Sequence, residues 1–404
     1  MSTLEKVPVK LAISLGMIGA LGPSAVDMYL ASLPEIAREF SASFAGVQLT
    51  LTFFLLAMGA GQLVFGPIVD AYGRRRPLLA GLLLFTLCAL GAAWAPTLQA
   101  LIAFRFVQGL GSALTLVVIM SMVRDVSHGI TATRLFALLM TIEGIAPILA
   151  PVLGGFIDTH YGWRAVMLVL ASLGLVVYCN TFLNLPETLA PANREPLRFD
   201  AACQRYWAIL KDGQFLRPTL AAAAVFFFLF AYIGGATFIY QDTYGLDASS
   251  FGLLFGLTGI AVLVGATIAG KCVGRLGLNS LSRLGVICMV LGAAIIMLAT
   301  VTSLGLIAIA SGVAISLFGL GIAESTLMSL VMSSQQRALG STAALLGAIQ
   351  LSVSSSATPI SALVLAHGPV GWGALLMVSA LVVWLLTHIS LRRNTGEQFE
   401  LAGH

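Results

Sequence analysis

The sequence predicts an all-α membrane protein with twelve transmembrane helices in two six-helix bundles. Of the 404 residues, 58% are hydrophobic and only 9% are charged, and the mean hydropathy is +0.98. A soluble domain carries roughly a quarter charged residues. The apolar residues form runs of about 20, the length that a helix needs to span a bilayer. Basic residues are concentrated in alternate segments between the runs, as expected for a polytopic protein.

Twelve apolar runs are each predicted to form one spanning helix. The runs are continuously apolar, whereas the strands of a membrane β-barrel alternate between apolar and polar residues, so the pattern excludes a barrel. The predicted spans are 9–32, 46–70, 77–95, 98–122, 134–157, 164–185, 218–240, 251–270, 283–301, 304–328, 339–363 and 370–390.

The basic residues predict the orientation of these spans. With the N-terminus inside, all but three of the 21 Lys and Arg residues fall in cytoplasmic segments; the exceptions are Arg38, Arg105 and Arg164. Because basic residues favour the cytoplasmic side, both termini are expected there. Lys6 and Lys10 precede the first apolar run, which is too long for a cleaved signal peptide and is interpreted as a retained helix.

The longest polar stretch divides the chain into two halves. Residues 190–217 are predicted to be a cytoplasmic linker between an N-terminal bundle, 1–189, and a C-terminal bundle with a short cytoplasmic tail, 218–404. The glycine spacing after the second span recurs after the eighth, which is a weak internal repeat. Paired halves of this kind are typical of transporters that hold substrate near the midplane and alternate access between the two sides.

Six short motifs occur in order along the chain. They are Asp27-Met-Tyr-Leu with Leu33-Pro34, Gly66-x-x-x-Asp70-x-x-Gly73-Arg74-Arg75-Arg76-Pro77, Arg105-x-x-Gln108-Gly109-x-Gly111, Ala146-Pro147-Ile-Leu-Ala150-Pro151-x-x-Gly154-Gly155, Gly162-Trp163-Arg164 and Leu185-Pro186-Glu187-Thr188-Leu189. Together they resemble the major facilitator superfamily and, within it, the Bcr/CflA branch of proton-coupled drug exporters. The resemblance covers nearly the whole chain. It departs from the family motif at Ala71, where a basic residue is usual.

The resemblance implies a proton-coupled antiporter that exports small amphiphilic, drug-like compounds across a bacterial inner (cytoplasmic) membrane by alternating access. Its expected partners are a small-molecule substrate, protons and membrane lipid, and it is expected to work as a monomer without a cofactor or metal. Nucleic acid is not an expected partner, because the basic residues are scattered between apolar runs. The alternative on the same fold is a proton symporter that imports a sugar or a metabolite.

Four ionisable residues lie well inside the predicted spans, where an unpaired charge is costly. They are Asp27, Arg105, Glu143 and Glu324. Asp27 and Arg105 are expected at a similar depth and are predicted to form an ion pair across the first bundle. Asp27 is the predicted proton carrier and Arg105 its electrostatic partner, because arginine keeps its own proton; the alternative is a static pair that only fixes packing. Glu324 either takes part in coupling or reaches the cytoplasmic interface.

Polar and aromatic residues near these charges complete the predicted site. Gln108 lies one helical turn from Arg105 on the same face. Glu143 is either a second protonation site that also contacts substrate or a protonated carboxyl bonded to a neighbouring helix. Tyr29 and Tyr232 are predicted to line an apolar pocket. The predicted proton-coupling residues are Asp27, Arg105 and Glu143, and the predicted substrate-binding residues are Asp27, Tyr29, Arg105, Gln108, Glu143 and Tyr232.

Two further segments are predicted to govern conformation. The segment after the second span combines glycines, an aspartate and three arginines and is interpreted as a conformational latch; the alternative is that its arginines only enforce topology. The fifth span carries prolines and glycines that predict a kinked, closely packed helix, with packing alone as the alternative. The latch residues are Gly66, Asp70, Gly73, Arg74, Arg75, Arg76 and Asp125, and the kink residues are Pro147, Pro151, Gly154 and Gly155.

Other functional classes find less support in the sequence. The run 265–271 matches the spacing of a nucleotide-binding loop, but Cys272 replaces the Ser or Thr that would hold magnesium, and the run lies in an apolar helix. An enzyme is not expected, because no plausible arrangement of nucleophile and base or of metal ligands is present. A passive channel would need polar rings or a selectivity filter, and four scattered ionisable residues form neither.

Overall fold

The computed structural model describes residues 9–126, 129–335 and 339–402. In this part of the chain helices dominate and no strand occurs. The chain divides into two compact units. The first extends to Cys203 and includes Asp247–Leu253, and the second comprises Gln204–Leu246 and the chain from Leu254 onward.

The first unit is organised around α5, which packs against α3 and α4. Helix α7 packs against α4, and α1 packs against α6 and α7. A single 3-10 turn, Leu30–Ser32, separates α1 from α2. The helices are α1 Val9–Asp27, α2 Leu33–Glu39, α3 Phe44–Tyr72, α4 Arg75–Ala93, α5 Leu98–Val126, α6 Gly129–Tyr161 and α7 Trp163–Asn184.

The second unit is organised around α9, which packs against α11, α12 and α13. Helix α9 is apolar nearly all round and is the most buried of the long helices described, as expected for a helix at the centre of a bundle. The boundary between the two units in the chain falls within a short helix, α8. The helices are α8 Phe199–Leu210, α9 Gly213–Phe238, α10 Ala248–Val301, α11 Leu306–Ser334, α12 Leu339–Val364 and α13 Gly368–Ala402.

Nine helical stretches in the described part of the chain are long and apolar enough to cross a membrane. Two of them, Ala248–Val301 and Leu339–Arg392, are 54 residues long, about twice the length that one crossing needs. Each contains a glycine with positive φ at which the chain turns, Gly277 (+75°) and Gly368 (+75°). Helix α6 adds a further apolar helix of 33 residues. The predicted all-α membrane fold is therefore confirmed, and these lengths are consistent with twelve crossings.

Several helix ends differ from the predicted spans, and one helix was not predicted. Helix α1 ends at Asp27 rather than at 32, and α2 follows it. Helix α9 begins at Gly213 rather than at 218, because the Asp212 side chain accepts a hydrogen bond from the backbone N–H of Gln214 (2.8 Å) and so caps the helix. The polar composition of 190–217 does not predict α8, an amphipathic helix with an exposed Trp207.

Glycine pairs allow close helix crossings in both units. At the crossing of α4 and α5, a Cβ on Gly81 would lie 3.1 Å from the carbonyl oxygen of Gly111, and a Cβ on Gly111 would lie 2.8 Å from that of Gly81. At the crossing of α10 and α11, Gly285 and Gly319 face each other in the same way. Small residues of this kind let two backbones approach inside a membrane, so the glycines after Arg105 set the position of α5.

Candidate functional site

The most deeply buried cation among the described residues of the first unit lies on α5. Arg105 is fully buried, and its guanidinium lies between two aromatic rings, 4.7 Å from the centroid of Tyr29 and 4.3 Å from that of Phe54. A desolvated cation–π contact contributes about 2 kcal/mol. The Tyr29 hydroxyl in turn donates to Thr50 Oγ1 on α3 (3.0 Å), which holds the ring against the guanidinium.

The same guanidinium caps the end of α1. Arg105 Nη1 donates to Gln108 Oε1 (2.8 Å), and Nη2 donates to the carbonyl oxygen of Ala25 (2.9 Å). Ala25 lies in the last turn of α1, where the carbonyl groups have no partner within the helix and carry the negative end of its dipole. Part of the charge of Arg105 is therefore balanced by backbone and by aromatic faces.

Asp27 is buried at the end of α1 but does not pair with Arg105. It is only 6% exposed, and no Lys or Arg nitrogen in the described part of the chain lies within 4.0 Å of its carboxylate. The predicted direct ion pair is therefore wrong. Arg105 instead uses the Ala25 carbonyl, Gln108 and two rings, which residue spacing does not reveal. The side chain of Glu143, the other predicted coupling residue, lies outside the described residues.

Two buried N–H groups beside these rings have no acceptor among the described residues. They are Arg105 Nε and Gln108 Nε2, and both side chains are fully buried. Leaving a buried donor unsatisfied costs about 1–3 kcal/mol. Tyr29, Phe54, Arg105 and Gln108, here called the Arg105 cluster, thus combine two aromatic faces with two free donors. This arrangement suits a molecule that carries an acceptor oxygen on an apolar body.

Phe54 and Thr50 contact the predicted site residues but are not themselves among the site residues predicted from the sequence. They lie one turn apart on α3, where Phe54 covers one face of Arg105 and Thr50 holds Tyr29. Their spacing of four residues puts them on one face of the helix, and this is the sequence signal that marks them.

Tyr232 belongs to the second unit and is almost fully buried. Its ring stacks on Phe255 (centroids 5.5 Å apart, 12° between planes), and its hydroxyl lies 3.2 Å from Thr258 Oγ1. Thr258 also lines an apolar groove of about 400 Å³ between the first part of α10 and the first part of α11, with Leu257 and Ile307 among the other lining residues. Tyr232 therefore lies behind this groove and supports its wall.

Helix α6 approaches the end of α1 very closely. A Cβ on Gly154 would collide with the backbone of Met28, the residue that follows α1, and a Cβ on Gly155 would collide with the backbone at the start of α10. Pro151 and Pro147 lie about one and two turns earlier in α6, inside the helix. Gly154 and Gly155 therefore each lie where the backbone of α6 touches another backbone, and the contact of Gly154 is at the residue that follows the buried Asp27.

The segment that follows α3 forms a second polar cluster. Arg74 is 6% exposed, and its guanidinium binds Asp70 (Nη1 to Oδ1, 2.6 Å) and Asp125 (Nε to Oδ2, 2.9 Å). The hydroxyl of Thr188 donates to the same Asp125 oxygen (3.0 Å). Helices α3, α4 and α5 and the chain after α7 are thus joined at one point.

Glu187 completes this cluster by capping α4. Its carboxylate accepts hydrogen bonds from the backbone N–H groups of Arg74 (2.9 Å), Arg75 (3.3 Å), Thr188 (3.1 Å) and Leu189 (3.1 Å). Burial alone raises the pKa of Glu187, but these four hydrogen bonds outweigh it and hold the pKa below its ordinary value of 4.5. Asp70, Arg74, Asp125 and Glu187 are here called the Arg74 cluster.

The other predicted latch residues are Gly73, Arg75, Gly66 and Arg76. Gly73 (φ +88°) ends α3, and a side chain there would meet the Glu187 carboxylate. Arg75 donates to the carbonyls of Leu185 (2.9 Å) and Phe182 (2.8 Å) at the end of α7. Gly66 lies within α3. Arg76 is exposed and forms no hydrogen bond or ion pair with the described residues.

Replacing Glu187 with glutamine is expected to destabilise the protein, because an amide offers one acceptor oxygen instead of two and loses the charge at the start of α4. The unfolding temperature in detergent should fall by several degrees at pH 7. Arg76→Ala, at the exposed neighbouring position, is the control and should leave it unchanged. Equal unfolding temperatures for Glu187→Gln and wild type would contradict this role.

The pH dependence of this contribution has a defined sign. Since the folded pKa of Glu187 lies below its ordinary value, the stabilisation is fully present above pH 4.5 and is lost as the pH falls through the folded pKa. The difference in unfolding temperature between wild type and Glu187→Gln should therefore be constant near neutral pH and shrink below about pH 4.5.

The chain is similar to several known proteins over most of its length. The family model described as "Major Facilitator Superfamily" matches residues 15–362. An uncharacterized MFS-type transporter of Bacillus subtilis, YdgK, is 35% identical over 379 residues, 93% of this chain and 94% of that protein. A bicyclomycin resistance protein homolog of Haemophilus influenzae is 28% identical over 84% of this chain and 86% of its own length. A chloramphenicol resistance protein of Pseudomonas aeruginosa is 28% identical over 74% and 68%.

Solved structures share the fold at low sequence identity. The nucleoside transporter NupG (D323A mutant) superposes with a TM-score of 0.73 at 12% identity, over 95% of this chain and 99% of that chain. A D-xylose-proton symporter superposes with a TM-score of 0.68 at 16% identity, over 93% and 97%. At these identities the likeness concerns the fold alone.

Proposed function

Since this chain belongs to the Major Facilitator Superfamily and is a multi-pass membrane transporter, we propose that it exports small amphiphilic, drug-like compounds in exchange for protons, by alternating access. Relatives named for resistance to bicyclomycin and to chloramphenicol favour export. Those relatives are bacterial, which favours the inner membrane as its location. The distribution of basic residues favours cytoplasmic termini.

The Arg105 cluster is the observation that carries this proposal. In it the substrate lies against the aromatic faces of Tyr29 and Phe54 and accepts hydrogen bonds from the free donors Arg105 Nε and Gln108 Nε2. Because the cluster offers donors and a fixed cation, it favours neutral or anionic compounds with carbonyl or similar oxygens over cations.

Asp27 carries the proton in this mechanism. It is buried without a cation, so taking up a proton removes a costly charge and breaks no ion pair. Asp27 ends the same helix whose Ala25 carbonyl holds Arg105. A change of charge at Asp27 therefore acts on the end of α1 that positions Arg105, and this links the proton to the substrate without direct contact between the two side chains.

The Arg74 cluster acts as the conformational latch of the first unit. It joins three helices and the chain after α7 through charged hydrogen bonds, which are stronger than neutral ones and are lost together when the elements separate. The closely packed end of α6 at Gly154 transmits movement of α6 to the end of α1. In this proposal the protein acts as a monomer surrounded by lipid.

The direction of coupled transport tests the proposed function. The purified protein is reconstituted into liposomes with a pH gradient, and radiolabelled chloramphenicol is added outside. An antiporter accumulates the drug when the vesicle interior is acidic, because outward proton flow drives the drug inward. Two controls are needed. Accumulation should be absent in liposomes without the protein, and a protonophore should abolish it in liposomes that contain the protein.

A symporter gives the opposite dependence on the gradient. Accumulation of xylose or another metabolite driven by external acid, without movement of chloramphenicol or bicyclomycin, would overturn export and establish the importer. Accumulation that is equal with and without a pH gradient would exclude proton coupling in either direction.

A further inference from the structure

The second unit holds a partly buried acid, with one enclosed carboxylate oxygen, that the proposed mechanism does not use. Glu324 lies on α11, and its Oε1 accepts a hydrogen bond from Nε2 of Gln350 on α12 (2.8 Å). Its other oxygen, Oε2, is buried and has no hydrogen-bond partner among the described residues. One carboxylate oxygen is therefore held by an amide, and the other is enclosed without a donor.

No described cation compensates the charge of this carboxylate. Helix α12 carries no ionisable residue, and the basic residues of α9 and α10 are Arg217, Lys271, Arg275 and Arg283, of which the last three are exposed. None of these forms an ion pair with Glu324 within 4.0 Å. The other titratable groups on α9 and α10 are the hydroxyl of Tyr232 and the thiols of Cys272 and Cys288.

Gln350 is a partner that suits both protonation states of an acid. An amide has an N–H group that donates to a carboxylate and a carbonyl oxygen that accepts from a protonated carboxyl, so it satisfies Glu324 in either state. An arginine or lysine in its place would hold the acid ionised. The pair is therefore built to tolerate gain and loss of a proton.

The backbone around Glu324 has little room to adjust to a buried charge. A Cβ on Gly321, one turn before Glu324, would collide with the carbonyl oxygen of Val262, and one on Gly319 would collide with that of Gly285. Helix α11 is thus pressed against α10 on the turns that precede the acid. Because Oε2 is enclosed without a donor, the neutral carboxyl costs less to hold here than the carboxylate does.

We propose that Glu324 and Gln350 form a second proton-binding site, located in the second unit and independent of Asp27. The proton binds Glu324, and the carboxyl keeps its hydrogen bond to Gln350 in both states. The site gives each unit an acid of its own that forms no ion pair with the described residues. Its contribution to transport rests on the proposed proton-coupled function, whereas proton binding itself does not.

Infrared difference spectroscopy of the purified protein in lipid, recorded during a pH titration, detects the carbonyl stretch of a protonated buried carboxyl. We expect one such band in wild type to disappear in Glu324→Gln. The same band should persist in Asp27→Asn and should shift in frequency in Gln350→Leu, because that variant keeps the acid and removes its hydrogen bond. Asp200→Asn, a change at an exposed carboxyl, should leave the band unaltered.

The variants separate this proposal from the proposed function. A carboxyl band that is identical in wild type, Glu324→Gln and Gln350→Leu overturns the second site, whatever the transport assays show. If Glu324→Gln does not fold, Gln350→Leu still decides the question, because an unshifted band excludes the pair. Loss of the band in Glu324→Gln, without any pH-driven accumulation of chloramphenicol by wild type, would support the site and overturn the exporter.

Discussion

Replacing Asp27 with asparagine is expected to abolish accumulation of substrate driven by a pH gradient. Asparagine keeps the size of the side chain but does not bind a proton in the physiological range, so the coupling step is lost while the α1 end remains packed against Gly154. The rate of driven accumulation should fall at least about tenfold, a loss of about 1.4 kcal/mol in the driven step. Radiolabelled chloramphenicol in proteoliposomes with an acidic interior is the measurement.

Exchange without a gradient distinguishes loss of coupling from loss of folding. In Asp27→Asn, exchange of labelled for unlabelled chloramphenicol should stay within about twofold of wild type, because substrate binding at the Arg105 cluster is retained. Asp200→Asn changes an exposed carboxyl of α8, which is 60% exposed, and is the matched control for driven transport. Proton-driven accumulation that is undiminished in Asp27→Asn would refute the role assigned to this residue.

Replacing Arg105 with lysine is expected to weaken substrate binding strongly even though the charge is kept. Lysine has a compact ammonium group in place of the planar guanidinium, so it does not fill the space between Tyr29 and Phe54 while also reaching Ala25 and Gln108. Affinity for chloramphenicol should fall about tenfold or more. Equilibrium binding to the purified protein is the measurement.

A second variant separates recognition from the structural role of Arg105 at the end of α1. Gln108→Met removes the free Nε2 donor and the hydrogen bond to Arg105 but leaves the guanidinium on the Ala25 carbonyl. It should weaken chloramphenicol binding and lower the unfolding temperature less than Arg105→Lys does, because only Nη1 loses its acceptor. If both variants bind chloramphenicol as tightly as wild type does, the Arg105 cluster is not the substrate site.

The amino-acid sequence indicates the candidate residues more reliably than their partners. The buried positions of Asp27, Arg105 and Gln108 follow from polar residues within long apolar runs, where a side chain pays for burial only if something compensates it. The predicted partner of Arg105 was nevertheless wrong. Backbone carbonyls and ring faces are available in every helix and every aromatic residue, so residue types along a chain do not show which of them reaches a given guanidinium.

Glu187 and Gln350 illustrate the same distinction outside the Arg105 cluster. The sequence placed Glu187 in a motif at the end of the sixth span, but its function as a cap for α4 depends on backbone N–H groups more than a hundred residues away. Gln350 is one polar residue among many on α12, and only the packing of α12 near α11 brings it to Glu324.

Hydropathy and charge along the chain were enough to establish a helical membrane protein and to single out its costly buried charges, because the cost of placing polar groups in lipid applies to each residue by itself. Which donor meets which acceptor was decided only in three dimensions, since hydrogen bonds and cation–π contacts depend on distances of a few ångströms between residues far apart in the chain. The free donors of the Arg105 cluster and the enclosed oxygen of Glu324 are properties of that packing.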